Sequence, residues 1–217
     1  MKIFKIAATA VILAASSVQA NAQSALSEIL SGGVLKVGTT GDWNPMTMRD
    51  VATNTYEGYD IDVMTALAAD LGVEVEFVPV VSSNRMQFLE QGKIDLMIAT
   101  MTDKPDRRKV VNIVDPNYYS SGTNILSLKS LGLKEWDDLS GKPVCGIQGA
   151  FYNKATSENY GAEIVAFKGT AEAYAALQAG NCAAFVYDDS AIVAKAAEAE
   201  WSDYEMPLQT IDDAPWG

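Results

Sequence analysis

Histidine is absent from this sequence of 217 residues, and cysteine occurs only twice. Without histidine, Ser-His-Asp and Cys-His pairs are excluded, and so is the commonest general base of enzymes. The sequence contains neither a Gly-x-Gly-x-x-Gly motif nor a Walker-type loop for phosphate. Two well separated cysteines do not make a zinc ligand set. The composition therefore favours a binding protein over an enzyme, with no cofactor and no metal.

Positive charge is scarce, because 16 lysines and arginines stand against 28 acidic residues, for a formal net charge of −12. An acidic surface disfavours nucleic acid and anionic membranes as partners. It is compatible with a local arginine site for a small anion.

The apolar segment at the N-terminus, residues 6–15, is shorter than the about 20 residues that a membrane-spanning helix needs. Two lysines precede it, and small residues at Ala20 and Ala22 frame a cleavage site. This pattern predicts a secretory signal peptide over residues 1–22, with cleavage after Ala20 as the alternative.

Cys145 and Cys182 each lie in a β-like run, KPVCGIQ and NCAAFVYDD. Export would place them in an oxidising compartment, where disulfides form and persist. We therefore predict a disulfide between them, which would stabilise the fold by roughly 4 kcal/mol. The alternative is two buried thiols that never meet.

Strand and helix patterns alternate in the first half of the chain. The predicted strands cover residues 34–39, 73–80 and 94–98, and the predicted helices cover residues 59–71 and 84–91. Asp60 and Asp62 are interpreted as helix-capping residues and not as site residues. This order favours an α/β fold with a parallel sheet and helices on both of its faces.

Residues 110–122 break this rhythm with an Asp-Pro turn, and the extended run TNILSLKS follows. The alternation then resumes, with strands at 143–147, 163–167 and 183–187 and helices at 149–159, 170–178 and 190–198. The sequence thus predicts two lobes, residues 23–115 and 116–213, with residues 214–217 starting a return crossover. A cleft between two lobes is a favoured place for a ligand.

Polar and aromatic residues follow several strands at the ends that should meet in this cleft. They are Asp42, Trp43, Ser82, Arg85, Thr100, Thr102 and Arg107 in the first lobe, and Ala150, Phe151 and Asp188 in the second. Arg107 can bind a carboxylate bidentately, and Asp188 can accept hydrogen bonds from an ammonium group. Together they suit a zwitterionic amino acid. Taken singly, Arg107 could be a solvated surface residue, Trp43 core filler and Asp188 a helix cap.

Four segments stand out in the chain from about Gly33 onward: LKVGTTGDWNPM, EGYDIDVMTALAADLG, SSNRMQFLEQGKIDLMIATMTDKPDRR and AAFVYDD. Through these segments the chain resembles the family 3 periplasmic solute-binding proteins, the receptors of ABC importers for polar amino acids. The resemblance implies a two-lobed, type II periplasmic binding-protein fold. Chains of this family continue some tens of residues past a motif like APWG, so we expect a fold that is truncated at the C-terminus.

The resemblance also implies a role for each candidate residue. Arg107 matches the arginine that clamps the ligand's α-carboxylate, with Thr102 as its hydroxyl partner and Thr100 nearby. Asp188 matches the acid that takes the α-ammonium, and Trp43 the aromatic residue that packs on the ligand. Ser82 and Arg85 match positions that face the side-chain carboxylate in receptors for acidic amino acids, which favours glutamate or aspartate. Ala150 and Phe151 stand where many members have a hydroxyl residue, so backbone or apolar contacts are expected from them.

The expected partners are an amino acid and an inner-membrane ABC permease, and the expected state is a periplasmic monomer. TTGDW and EGYDID also resemble cyclohexadienyl dehydratases, which act on prephenate or arogenate and are built on the same fold. Ala191 stands where that branch has an added general acid, so we expect a receptor and keep the dehydratase as the alternative.

Overall fold

The computed structural model describes residues 24–217, so the predicted signal peptide lies outside the described residues. Within the described range, no helix is long and apolar enough to cross a membrane.

The first half of the described chain forms helices around a small parallel sheet. In chain order its elements are α1 (Ala25–Gly32), β1 (Val34–Thr39), β2 (Asp42–Trp43), β3 (Thr47–Arg49), β4 (Tyr56–Glu57), α2 (Tyr59–Leu71), β5 (Glu74–Pro79), α3 (Arg85–Glu90), β6 (Leu96–Met97) and α4 (Pro105–Arg108). The strand order is β5-β1-β6, and both pairings are parallel, as expected. The strands β2, β3 and β4 form a separate antiparallel sheet. We call these elements the first lobe.

The second lobe is a larger mixed sheet with helices. Its elements are β7 (Tyr119–Leu128), β8 (Pro143–Ile147), α5 (Tyr152–Tyr160), β9 (Glu163–Phe167), α6 (Thr170–Gln178), β10 (Ala184–Asp188), α7 (Asp189–Ala196), β11 (Tyr204–Glu205) and β12 (Ile211–Trp216). The strand order is β11-β7-β10-β8-β9, and β12 also pairs with β7. The pairings of β8 with β9 and β10 are parallel, whereas those of β7 are antiparallel.

The predicted disulfide is confirmed. Cys145 lies in β8 and Cys182 directly before β10, the strand next to β8. The two sulfur atoms are 2.03 Å apart, and the Cα atoms are 5.6 Å apart. Both residues are buried, so the bond ties together two neighbouring strands inside the second lobe.

Helix α2 has the predicted bounds, but Asp60 does not cap it. The N-cap is Gly58, and Asp60 is the second residue of the helix, with its side chain buried. At the other end, Gly72 adopts a left-handed conformation with φ of 70°, and this satisfies the last carbonyl groups of the helix. The capping prediction for Asp60 was wrong because the turn before the helix positions glycine, not aspartate, at the cap.

Six predicted elements start or end elsewhere, among them the strand at 94–98 and helix α5. The expected strand 94–98 is regular over only two residues, although Ile94 and Ile98 are buried on either side of it. Helix α5 begins at Tyr152, three residues later than predicted, because Gly149 turns the chain with φ of 82° before the helix starts.

The end of β12 lies beside two other segments of the chain where the lobes meet. The backbone N–H of Tyr118 donates to the carbonyl of Trp216 at 2.9 Å, and that of Asp103 donates to the carbonyl of Pro215 at 2.7 Å. The end of β12 therefore contacts the loop that follows β6. The lobe boundaries at residues 115 and 213 remain a prediction.

Candidate functional site

The residues predicted for the cleft come together around one small cavity between the lobes. It is lined by Ser82, Arg85, Thr100, Thr102, Arg107, Ala150, Phe151, Tyr152 and Asp188. Eight of these nine were predicted from the sequence. The cavity volume is about 20 Å³, which is room for about one water molecule. In this arrangement the lobes are closed on each other, so an amino acid can enter only when they move apart.

The loop after β6 and the short helix α4 position Arg107. Pro105 occupies the start of α4, where its fixed φ favours the first helical turn. The guanidinium group of Arg107 then turns back and donates to the carbonyl oxygen of Thr102 at 2.8 Å. It also reaches across the cleft to the carbonyl oxygen of Gly149 at 3.3 Å. Burial lowers the pKa of Arg107, and the neighbouring Tyr152 and Asp188 oppose this.

Arg85 places a second guanidinium group beside the first. It begins helix α3, is only 4% exposed and donates to the carbonyl oxygen of Ala99. Burial, and then the positive charge of Arg107, lower its pKa to about 10. Among the described residues, no carboxylate forms an ion pair with either arginine. A buried and a half-buried cation, neither paired with a carboxylate, favour an anionic ligand.

Asp188 supplies the one acid of the cavity. It ends β10 and is the N-cap of α7, but its side chain makes no capping hydrogen bond. The residue is 5% exposed, and this burial raises the pKa of its carboxyl group to about 7. Arg85 and Arg107 oppose the rise, and Asp189 adds to it.

The carboxylate of the neighbouring Asp189 is held by hydrogen bonds within the second lobe. Its carboxylate accepts hydrogen bonds from the hydroxyl of Ser121 at 2.6 Å and the backbone N–H of Gly122 at 2.9 Å. Of the two adjacent acids, Asp188 is therefore the one that faces the cavity.

Two predicted ligand residues, Asp42 and Trp43, lie outside the lining of this cavity. Trp43 is 2% exposed and packs edge to face on Tyr187 and Trp216, with ring centroids 5.9 and 5.0 Å away. It belongs to the buried core that continues between the lobes. Asp42 hydrogen-bonds Thr170 of the second lobe. Their roles as ligand contacts stay a prediction, since residues after a strand can face either the cleft or the opposite lobe.

Tyr152 is the cavity residue that sequence reasoning missed. It begins helix α5, is buried, and burial raises its pKa well above the ordinary value for tyrosine. Its position next to Phe151, in the loop already predicted to open this helix, was the available signal.

A larger cavity of about 520 Å³ has different chemistry. Its lining includes Trp43, Glu57, Tyr174, Lys195 and Glu198. Lys195 is paired there with Glu198 at 2.9 Å, so its charge is already compensated. The smaller cavity, with two uncompensated arginines, is the better candidate site.

Comparison with known proteins identifies the family of this chain. Residues 35–199 match the model of the bacterial extracellular solute-binding proteins, family 3. The chain belongs to this family. A glutamine-binding protein from Geobacillus stearothermophilus is 30% identical over 200 residues, which cover 88% of this chain and 74% of that protein. The glutamine-binding protein GlnH of Bacillus subtilis is 28% identical, with 88% of this chain and 71% of that protein covered. A glutamate/aspartate import solute-binding protein from Salmonella typhimurium is 25% identical, with 84% and 64% covered.

Solved structures of two-lobed amino-acid-binding proteins have the same fold. Arginine-bound, truncated ArgBP from T. maritima superposes with a TM-score of 0.81 at 29% identity and covers 88% of this chain and 89% of that one. The ancestral amino acid-binding protein AncCDT-1, a precursor of cyclohexadienyl dehydratase, gives a TM-score of 0.79 at 32% identity, with 89% and 84% covered. The predicted two-lobed α/β fold is thereby confirmed.

Proposed function

We propose that this chain is a periplasmic receptor that captures an acidic amino acid, glutamate or aspartate, for an ABC importer. The observation that carries the proposal is the charge of the cavity, where Arg85 and Arg107 stand with Asp188 and no other charged group. Relatives named as glutamine-binding and glutamate/aspartate import proteins support an amino acid as the ligand class.

The charges of an acidic amino acid match those of the site one for one. Its two carboxylates match the two guanidinium groups, and its ammonium group matches Asp188. Glutamine would leave one buried guanidinium without an anionic partner, which costs binding free energy. Arginine as the ligand would bring a third guanidinium beside the other two, and like charges brought together disfavour the complex.

In the proposed complex each arginine has a distinct task. Arg107 binds the α-carboxylate, with Thr100 and Thr102 beside it, and Asp188 accepts hydrogen bonds from the ammonium group. Arg85, together with Ser82, faces the carboxylate of the ligand side chain. Ala150 and Phe151 close the second-lobe side through backbone and apolar contacts.

Titration calorimetry of ligand-freed protein with glutamate, aspartate, glutamine and arginine tests the proposal. A hydrogen-bonded charge pair contributes about 1.5 to 3 kcal/mol, so an acidic ligand should bind roughly 10- to 150-fold more tightly than glutamine. Arg85→Met should remove this preference, whereas Arg107→Met should weaken the binding of every amino acid. Arg49→Met is the matched control, because Arg49 lies outside this cavity and binds Asn54. A wild-type preference for glutamine, or an unchanged preference in Arg85→Met, would refute the acidic assignment.

The likeness to AncCDT-1 keeps a dehydratase as the second candidate. Ala191, where a general acid is expected in that branch, is buried in α7 and lines the other, larger cavity. The candidate cavity therefore has Asp188 as its single carboxyl group. Formation of phenylpyruvate from prephenate by the purified protein would favour the enzyme, and its absence together with amino acid binding would favour the receptor.

A further inference from the structure

Asp42 of the first lobe binds the N-terminus of helix α6 in the second lobe. Its Oδ2 atom accepts hydrogen bonds from the backbone N–H of Thr170 at 2.8 Å and from the Thr170 hydroxyl at 3.1 Å. The same hydroxyl donates to the backbone carbonyl of Asp42 at 2.6 Å. The backbone N–H and the single hydroxyl proton of Thr170, which is shared between two oxygens of Asp42, thus join residues that are 128 positions apart in the sequence.

The helix needs this partner because it has no cap of its own. The first N–H groups of a helix have no partner inside the helix, and a carboxylate at this end also interacts favourably with the helix dipole. The N-cap of α6 is Gly169, which has no side chain that could accept these bonds. The carboxylate of Asp42, in the opposite lobe, accepts the hydrogen bond that an N-cap side chain would otherwise accept.

Glycine at position 169 also leaves the room that this contact requires. A Cβ atom added to Gly169 would stand 2.9 Å from Oδ2 of Asp42, closer than real Cβ contacts. An alanine there would push the carboxylate away while leaving the helix sequence itself unchanged.

We propose that Asp42 is an interlobe latch, a positioning residue that raises ligand affinity by stabilising the closed arrangement without touching the ligand. This rests on the proposed receptor function. Asp42 lines the cavities of about 520 and 220 Å³ but not the cavity of Arg85, Arg107 and Asp188. It differs in this from Arg107, which also crosses between the lobes but lies in the ligand cavity.

A latch of this kind acts on every ligand equally. Apparent affinity scales with the fraction of protein in the binding-competent arrangement. Losing a helix cap of ordinary strength should therefore weaken binding by at most about 2- to 30-fold, and by less where the closed arrangement already predominates without ligand. The same factor should apply to glutamate, aspartate and glutamine, and it should appear mainly as faster dissociation. A direct ligand contact would instead change the ratio between ligands.

The experiment compares Asp42→Ala, Gly169→Ala and the double variant with wild type by calorimetry and stopped-flow dissociation. Glu57→Ala is the matched control, since Glu57 is an acid of the same small sheet and makes no side-chain hydrogen bond to the second lobe within residues 24–217. We expect a uniform loss in both single variants and no further loss in the double variant, because both changes remove the same contact. Circular dichroism and thermal unfolding check that each variant is folded.

Three results would overturn the latch: unchanged affinity in the folded variants, a changed order of ligand preference in Asp42→Ala, or additive losses in the double variant. The ligand preference of wild type reports separately on the proposed function, so the two failures are distinguishable. If no amino acid binds to the wild-type protein, the latch is tested by the radius of gyration of the ligand-free proteins, measured by solution X-ray scattering. It should increase in Asp42→Ala and Gly169→Ala relative to wild type and Glu57→Ala, and an unchanged value would overturn the latch.

Discussion

Binding of the ligand should release a proton from Asp188. Burial raises the pKa of this carboxyl group to about 7 in the closed protein. Below pH 7 the group is therefore mostly protonated, and it must ionise before it can pair with the ammonium group of an amino acid. In the complex the ammonium charge lowers the pKa again. Affinity should consequently rise with pH up to about 7 and level off above it.

The size of this effect, for ligand-free protein in the closed arrangement that buries Asp188, follows from the fraction of this residue that is ionised there. With a pKa of about 7, that fraction is about 0.1 at pH 6 and about 0.9 at pH 8. Affinity should thus be about 10-fold higher at pH 8 than at pH 6. The number of protons released should fall from about 0.9 at pH 6 to about 0.5 at pH 7 and about 0.1 at pH 8. The carboxyl groups of the ligand titrate near pH 4 and contribute little in this range.

Calorimetry at pH 6, 7 and 8, in buffers with different heats of ionisation, measures both quantities. Asp188→Asn should lose the pH dependence together with most of the affinity. Asp60→Asn is the control, because Asp60 is also buried with a pKa raised to about 7 but does not line the cavity. Constant affinity and no proton release in wild type at pH 6 would show that burial does not set the protonation of Asp188 in the free protein.

Three further predictions concern stability and closure. Reduction of the Cys145–Cys182 bond, which closes a separation of 37 residues, should lower the free energy of unfolding by about 4 kcal/mol; coincident urea curves with and without reductant would contradict this. The pKa of Asp60 is raised by burial, so the folded protein holds a proton that the unfolded chain releases above about pH 4, and stability should fall as pH rises to 7. Asp60→Asn should have a smaller slope than wild type in thermal unfolding between pH 5 and 8, because Asp188, whose pKa is also raised to about 7, still contributes; parallel curves for both proteins would exclude the contribution of Asp60. Gly149→Ala should weaken ligand binding, because its Cβ would lie 2.9 Å from the carbonyl oxygen of Ser82 across the cleft and its φ is positive; calorimetry showing wild-type affinity would argue against this closed geometry.

The bounds of several helices and strands could be predicted because the sequence patterns that set them are local. The observed bounds of β1, α2, β8, β9 and α6 coincide with the predicted ones. Each of these elements has a clear apolar pattern bounded by glycine, proline or polar residues. The bounds were missed where pairing partners decide them, as in the two-residue β6, which pairs only with β1 among the described strands.

The same division applies to the candidate site. The sequence by itself predicted the two lobes, the loop that carries Thr100, Thr102 and Arg107, and the charged residues that line the cavity, because these depend on residue type and on spacing along the chain. Only the tertiary structure decided that Asp42 and Trp43 serve the contact between the lobes and that Tyr152 joins the cavity. Residue spacing cannot reveal which lobe a side chain faces after closure, since that depends on contacts between segments more than a hundred residues apart.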